Sequence, residues 1–264
     1  MKADNERIVV PRPRHFKRDA IILGVTALIV GSAWFAGFDL GRIIMNFSKG
    51  GRLLGRMFLR PDWGYAPRIV DPLIETIRMS IVGTVWGAAL ALPVAVFAAN
   101  NFIRNPWIAQ PLRVILNITR SVPAMVMASV FVAVFGIGPF SGVLALIIFT
   151  FGLISKLTFE SIEAIDYGQV EALLAVGANK PSILRYAIMP QILPQFLSYT
   201  LYGLEINVRA AAVLGYVGAG GIGQIFEQNL AWRNFDRVGL IIIISFFVVL
   251  AIDLVSSAIR KRLV

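Results

Sequence analysis

Six apolar runs, at about residues 20 to 38, 73 to 99, 110 to 136, 140 to 158, 191 to 214 and 239 to 259, dominate the sequence. Each is close to or above the roughly 20 apolar residues that a helix needs to cross a bilayer. Backbone inside lipid must satisfy its own hydrogen bonds, so runs of this length fold as helices. The chain is 57% hydrophobic and only 15% charged, against about 45 to 50% apolar and about 25% charged in soluble domains. A water-soluble protein of this length has nowhere to place that surface, which nearly excludes soluble enzyme folds. Prolines at 93, 111, 123, 139, 190 and 194 sit at or inside the ends of the runs, where neighbouring helices satisfy freed carbonyls. The expectation is an all-α integral membrane protein with six transmembrane helices.

The net charge of +10 would point to nucleic acid in a soluble chain. Here it reads as topology, because cytoplasmic segments retain Lys and Arg. The expected order is a basic cytoplasmic tail over 1–19, a first span over 20–38, an outer connection over 39–72, a permeation core over 73–259 and a basic tail over 260–264. Both termini are then expected on the cytoplasmic side of a plasma membrane. Lys2, Arg7, Arg12, Arg14, Lys17 and Arg18 resemble a signal-peptide n-region, but no small-residue cleavage site follows the first run, so that span is expected to be uncleaved. In the outer connection Arg42, Lys49, Arg52, Arg56 and Arg60 alternate with Ile44, Phe47, Leu53, Leu54 and Phe58. That spacing predicts an amphipathic helix lying in the interface, weakened by Gly50, Gly51 and Gly55. The chain has no Cys and a single His, His15, which excludes disulfides and thiolate chemistry and leaves no set of ligands for a metal.

The polar stretch between the fourth and fifth runs, within a loop at 160–190, reads GQVEALLAVGANKPSILRYAIMPQILP. Val170, Leu173, Leu174 and Val176 give a short helix an apolar side, Ala172 and Ala175 permit close approach, and Gly177 suits a helix stop. Lys180, Pro181 and Ser182 then force a turn into a second helix. Glu171, Ala172, Leu173, Gly177 and Pro190 resemble the EAA loop of ABC importer permeases, although Leu173, Ala187 and Met189 depart from the family pattern. With ITRSVPAMVMASVFVAVFGIGPFSGVLAL and LSYTLYGLEINVRAAAVLGYVGAGGIG, residues 60 to 262 resemble the membrane subunit of phosphonate-type ABC importers. The resemblance implies a MetI-like architecture in which Gln169 to Gly177 form a cytoplasmic coupling helix seated on a separate ATPase. It also implies an ATPase dimer that carries ATP and Mg, a second copy of the chain, and an external or periplasmic solute-binding protein in a bacterial inner membrane. The chain itself lacks the GxxxxGK[ST] phosphate loop, so no cofactor is expected in it.

Gly218, Gly220 and Gly223 satisfy GxGxxG, but the dinucleotide motif needs a strand before it. After a membrane span the glycines predict a tight outer turn or a re-entrant segment. Charges inside spans are functional candidates. Glu205 and Arg209 stand four residues apart and are expected either to pair with each other or, with Asn207, to line a pathway that offers planar donors to an oxyanion. Arg120 and Ser121 in the third run are further pathway candidates, with Pro123 predicting a local distortion of that helix. The expected function is import of phosphonates or related phosphorus oxyanions. Alternatives are the same architecture for phosphate, phosphite or methionine, or a self-contained channel or secondary carrier. No paired carboxylates or activated nucleophile suggests an enzyme.

Overall fold

In the computed structural model the described residues are 16–103 and 105–263. The basic tail through His15, together with Arg104, lies outside them. The described residues are helical with short connections and contain no strand. The chain divides into two compact units between Leu53 and Leu54.

In the first unit, α1 (Phe16–Phe35) is apolar on all sides, with Ile22, Leu28 and Trp34 exposed, as a lipid-facing span requires. Helix α2 (Leu40–Leu59) begins there and takes the expected amphipathic segment despite its glycines. Asp39 accepts from the Arg42 amide at 3.1 Å and pairs with its guanidinium, which caps the exposed first turn.

The second unit contains α3 (Ala66–Ala98), α4 (Pro106–Ser121), α5 (Ala124–Phe135), α6 (Pro139–Glu163), α7 (Gly168–Ala175), α8 (Lys180–Ile183), α9 (Met189–Leu214), α10 (Ile222–Ala231) and α11 (Phe235–Leu263). Four helical stretches, 18–35, 63–98, 139–163 and 235–263, are long and apolar enough to cross a membrane. Helix α9 has the length, at 26 residues, but carries Glu205 and Arg209 and falls short in apolar composition. The third expected span is bent where Pro123 predicts a distortion: α4 and α5 meet at 88° across Val122 and Pro123, and together they are apolar enough to count as one broken span. Pro123 has no amide hydrogen and forces Val122 into an extended conformation (ψ 121°), so the α4 hydrogen-bond ladder ends there.

Helices α3 and α6 form the centre of this unit. A Cβ added to Gly83 would lie 2.6 Å from Leu146 Cβ, and one added to Gly87 would lie 2.6 Å from Thr150 Cβ. The two backbones therefore touch along a small-residue stripe, the arrangement that lets membrane helices pack without a hydrophobic driving force between them. On the same side of α3, Thr76, Ser80 and Thr84 each donate to the carbonyl four residues earlier at 2.7 to 2.8 Å. With their hydrogens used locally, their lone pairs remain to accept from other helices. Thr76 accepts from the Ile222 amide at 2.8 Å and so caps α10, while Thr84 accepts from Asn207 of α9. The glycine turn before α10 has Gly218, Gly220 and Gly221 at φ +81°, +81° and +71°. It packs against Glu75, Thr76 and Pro139, about 15 Å along α3 from its first residue.

Candidate functional site

The segment with coupling-loop spacing forms a compact hairpin at the end of the bundle where α3 and α6 finish. Gly168 begins α7 because Asp166 Oδ1 accepts from its amide at 3.0 Å. Gly177 ends it at φ +79°, a conformation that costs other residues about 1 to 2 kcal/mol. The Gly177 amide donates to the Leu174 carbonyl and the Ala178 amide to the Leu173 carbonyl, both at 3.0 Å. This pair of bonds is a Schellman cap, and it explains the need for Gly at this position. Asn179 Oδ1 then accepts from the Ser182 amide at 3.0 Å, Pro181 occupies the first turn of α8, and residues Leu184–Ile188 form a π-helical turn into α9. Pro190 stands at the start of α9, where a missing amide hydrogen is tolerated.

Within α7 the sequence candidates separate by face. Val170 is buried and Leu173 packs beside it, in a cluster with Ala95 and Val96 of α3, Leu116 of α4, Phe159 and Ile162 of α6, Ile188 of the π-helical turn and Ile192 of α9. Gln169, Glu171, Ala172, Leu174, Val176 and Gly177 are exposed, and Val176 is 78% so. The hairpin is thus seated through Val170 and Leu173 on an apolar cluster to which α3, α4, α6 and α9 all contribute, and presents an apolar and acidic edge on the other side. Gln191, which spacing did not single out, joins it to α9. Its Oε1 accepts from the Asp166 amide at 3.1 Å, and its Nε2 lies 3.3 Å from both the Asp166 carbonyl and Gln169 Oε1. Beside it Arg113 of α4 pairs with Glu163 of α6, stacks over Phe159 at 4.7 Å and donates to the Ala98 carbonyl at 2.9 Å. Glu163 also accepts from the Asn100 amide at 2.9 Å, so α3, α4 and α6 are locked together at this end.

The pathway candidates divide differently from the expectation. Glu205 and Arg209 do not pair with each other. Glu205 is 6% exposed and accepts from Arg260 at 2.5 Å, while Arg209 meets Asp253 at 3.2 Å. Two rungs therefore tie α9 to α11, since the antiparallel neighbour brings opposite charge closer than the next helical turn does. The signal in the sequence was Asp253 and Arg260, seven residues apart and hence on one face of α11. Asn207 has no exposed surface and donates from Nδ2 to Thr84 Oγ1 at 2.8 Å and to Thr150 Oγ1 at 2.6 Å. It ties α3, α6 and α9 together and offers no surface to a solute in this conformation. Arg120 differs from all of these. It ends α4 at the 88° break, its stem rests against Gly152 of α6, its head is exposed, and it makes no ion pair among the described residues. Ser121 beside it is exposed and donates to the Ile118 carbonyl at 2.8 Å.

The sequence matches the family described as binding-protein-dependent transport system inner membrane component over residues 91–264. The phosphite transport system permease protein PtxC of Stutzerimonas stutzeri is 36% identical over 94% of this chain and 90% of its own. The phosphate-import permease protein PhnE of Mycolicibacterium smegmatis is 38% identical over 72% of this chain and 36% of its own. Among solved structures, a chain of the MetNI methionine ABC transporter in an inward facing conformation superposes with a TM-score of 0.66 at 25% identity, over 74% of this chain and 96% of its own.

Proposed function

Because the chain belongs to the family of binding-protein-dependent transport system inner membrane components, we propose that it is the membrane subunit of an ATP-driven importer of phosphite, phosphonates or a related phosphorus oxyanion. The observation that carries the reading is α7, a Gly-capped helix exposed on one edge and seated on the other in an apolar cluster that α3, α4, α6 and α9 share. Such a lever passes motion of a bound ATPase to several helices at once. The chain works with a second copy of itself, because two ATPase sites need two such levers and each chain carries one. ATP and Mg belong to the ATPase, and an external binding protein delivers the solute. With α7 on the cytoplasmic side, both termini are cytoplasmic.

Within the membrane, Arg120 is the group best supported as an oxyanion contact. It is a permanent cation with planar donors, unpaired among the described residues and set beside a broken helix whose ends leave backbone groups unpaired. Arg209 is half-exposed but already paired with Asp253, which favours a role in holding α9 to α11.

The test is uptake into vesicles that contain the chain, its ATPase and its binding protein, with phosphite, methylphosphonate, phosphate and methionine compared. ATP-dependent uptake of a phosphorus oxyanion, abolished by Gly177→Asp with the chain still inserted, is the expected result. Equal uptake without the ATPase would show a channel or carrier instead, and uptake of methionine alone would overturn the solute class.

A further inference from the structure

An apolar groove of about 570 Å³ opens in the second unit beside the turn that leads from α7 into α9. Its walls are Leu92, Val96 and Phe97 from the last turns of α3, Phe102 just beyond, and Leu184 and Met189 from the turn into α9. Lys180 and Arg185 stand at its rim with Pro181. Both cations are exposed, and neither makes an ion pair among the described residues. The Arg185 guanidinium lies 5.5 Å from the Tyr186 ring centroid, which orients it without neutralising it. In contrast Lys156, Arg113, Arg209, Arg237 and Arg260 each have a carboxylate partner.

We propose that this groove binds one anionic phospholipid of the inner leaflet, with an acyl chain along Leu92, Val96 and Phe97 and the phosphate between Lys180 and Arg185. The apolar run that contains α3 ends at Ala99, Asn100 and Asn101 follow at once, and Lys180 lines a neighbouring pocket with Asn101, so Leu92, Val96 and Phe97 lie at acyl depth and Lys180 at headgroup depth. Phe97 is half exposed on the open side, where a soluble partner would meet it only by leaving water for lipid. Unpaired cations between helices at the cytoplasmic face complement an anionic headgroup. The choice of the inner leaflet rests on the cytoplasmic placement of α7 proposed above.

Bound phospholipid is counted by native mass spectrometry of the purified full chain in non-ionic detergent, titrated with phosphatidylglycerol or phosphatidylcholine. The wild type binds phosphatidylglycerol more tightly. Lys180→Gln with Arg185→Gln weakens that binding roughly 25-fold, taking about fivefold for each cation near an anionic surface, and leaves phosphatidylcholine unchanged. Arg68→Gln with Arg233→Gln removes the same charge elsewhere and has no effect. Equal binding of the two lipids by the wild type, retained preference in the first double variant, or equal loss in the second would each overturn the proposal. A change of oligomeric state in the first variant with lipid binding intact would make the groove a protein interface and overturn it also. Because this measurement uses no ATPase, failure of the transport reading would leave it standing. Co-purification of the ATPase with the first double variant reports separately that α7 still docks.

Discussion

Gln191→Leu tests whether the contact between α7 and α9 transmits work. A primary amide has two hydrogens, and one of those on Gln191 goes to the Ala187 carbonyl at 2.9 Å, within its own segment. The other is shared between the Asp166 carbonyl and Gln169 Oε1 at 3.3 Å, and Oε1 accepts from the Asp166 amide at 3.1 Å. The polar tie between the hairpin and α9 therefore amounts to two bonds, about 2 kcal/mol at roughly 1 kcal/mol net for each. Its loss raises the fraction of hairpins detached from α9 by about 30-fold. Val170 and the cluster around it are untouched, so α7 still folds and still binds its partner. The expected outcome in vesicles is retained ATPase co-purification and hydrolysis, with solute moved per ATP reduced severalfold. Gln191→Glu keeps the acceptor for the Asp166 amide and loses both donors, so it falls between. An unchanged ratio of transport to hydrolysis in Gln191→Leu would refute the idea that this tie carries the coupling.

Asn207→Ala removes two interhelical hydrogen bonds, and at about 0.6 kcal/mol each in membrane proteins it lowers thermal stability in detergent by about 1 kcal/mol or more; loss of uptake at unchanged stability would return Asn207 to the pathway. Gly87→Val forces a side chain into Thr150 and the Ile147 carbonyl and costs about 1 to 3 kcal/mol or more, whereas Gly50→Ala in open space on α2 is neutral or stabilising by up to about 1 kcal/mol. Thermal denaturation that ranks the two glycines in the opposite order would contradict the packing described here.

Helix positions were legible in the sequence because lipid leaves long apolar runs one option, and α9 and α11 lie within a few residues of their runs. The α7 stop was legible too, since only Gly sits comfortably at φ +79°. The break between α4 and α5 was visible as Ser121 and Pro123, but not its 88° angle, which depends on what each half packs against. Glu205 and Arg209 illustrate a general limit. Spacing of four places two charges on one face, yet says nothing of a neighbouring helix that supplies Asp253 and Arg260 from 44 and 55 residues away. Gln191 was missed for a similar reason, because an amide among apolar residues carries no spacing signal until its partners in another segment are known.

The glycine contacts between α3 and α6 also constrain how such a subunit can move. Where side chains interdigitate, a helix can slide by exchanging rotamers, but Gly83 and Gly87 place main chain against Leu146 and Thr150, and main chain has no rotamers to exchange. The pair is an axle, and any cycle between outward and inward openings has to turn other parts around it. The freedom that remains lies in the elbow between α4 and α5, whose ladder is already cut, and in α11, held to α9 by charges that can let go and re-form.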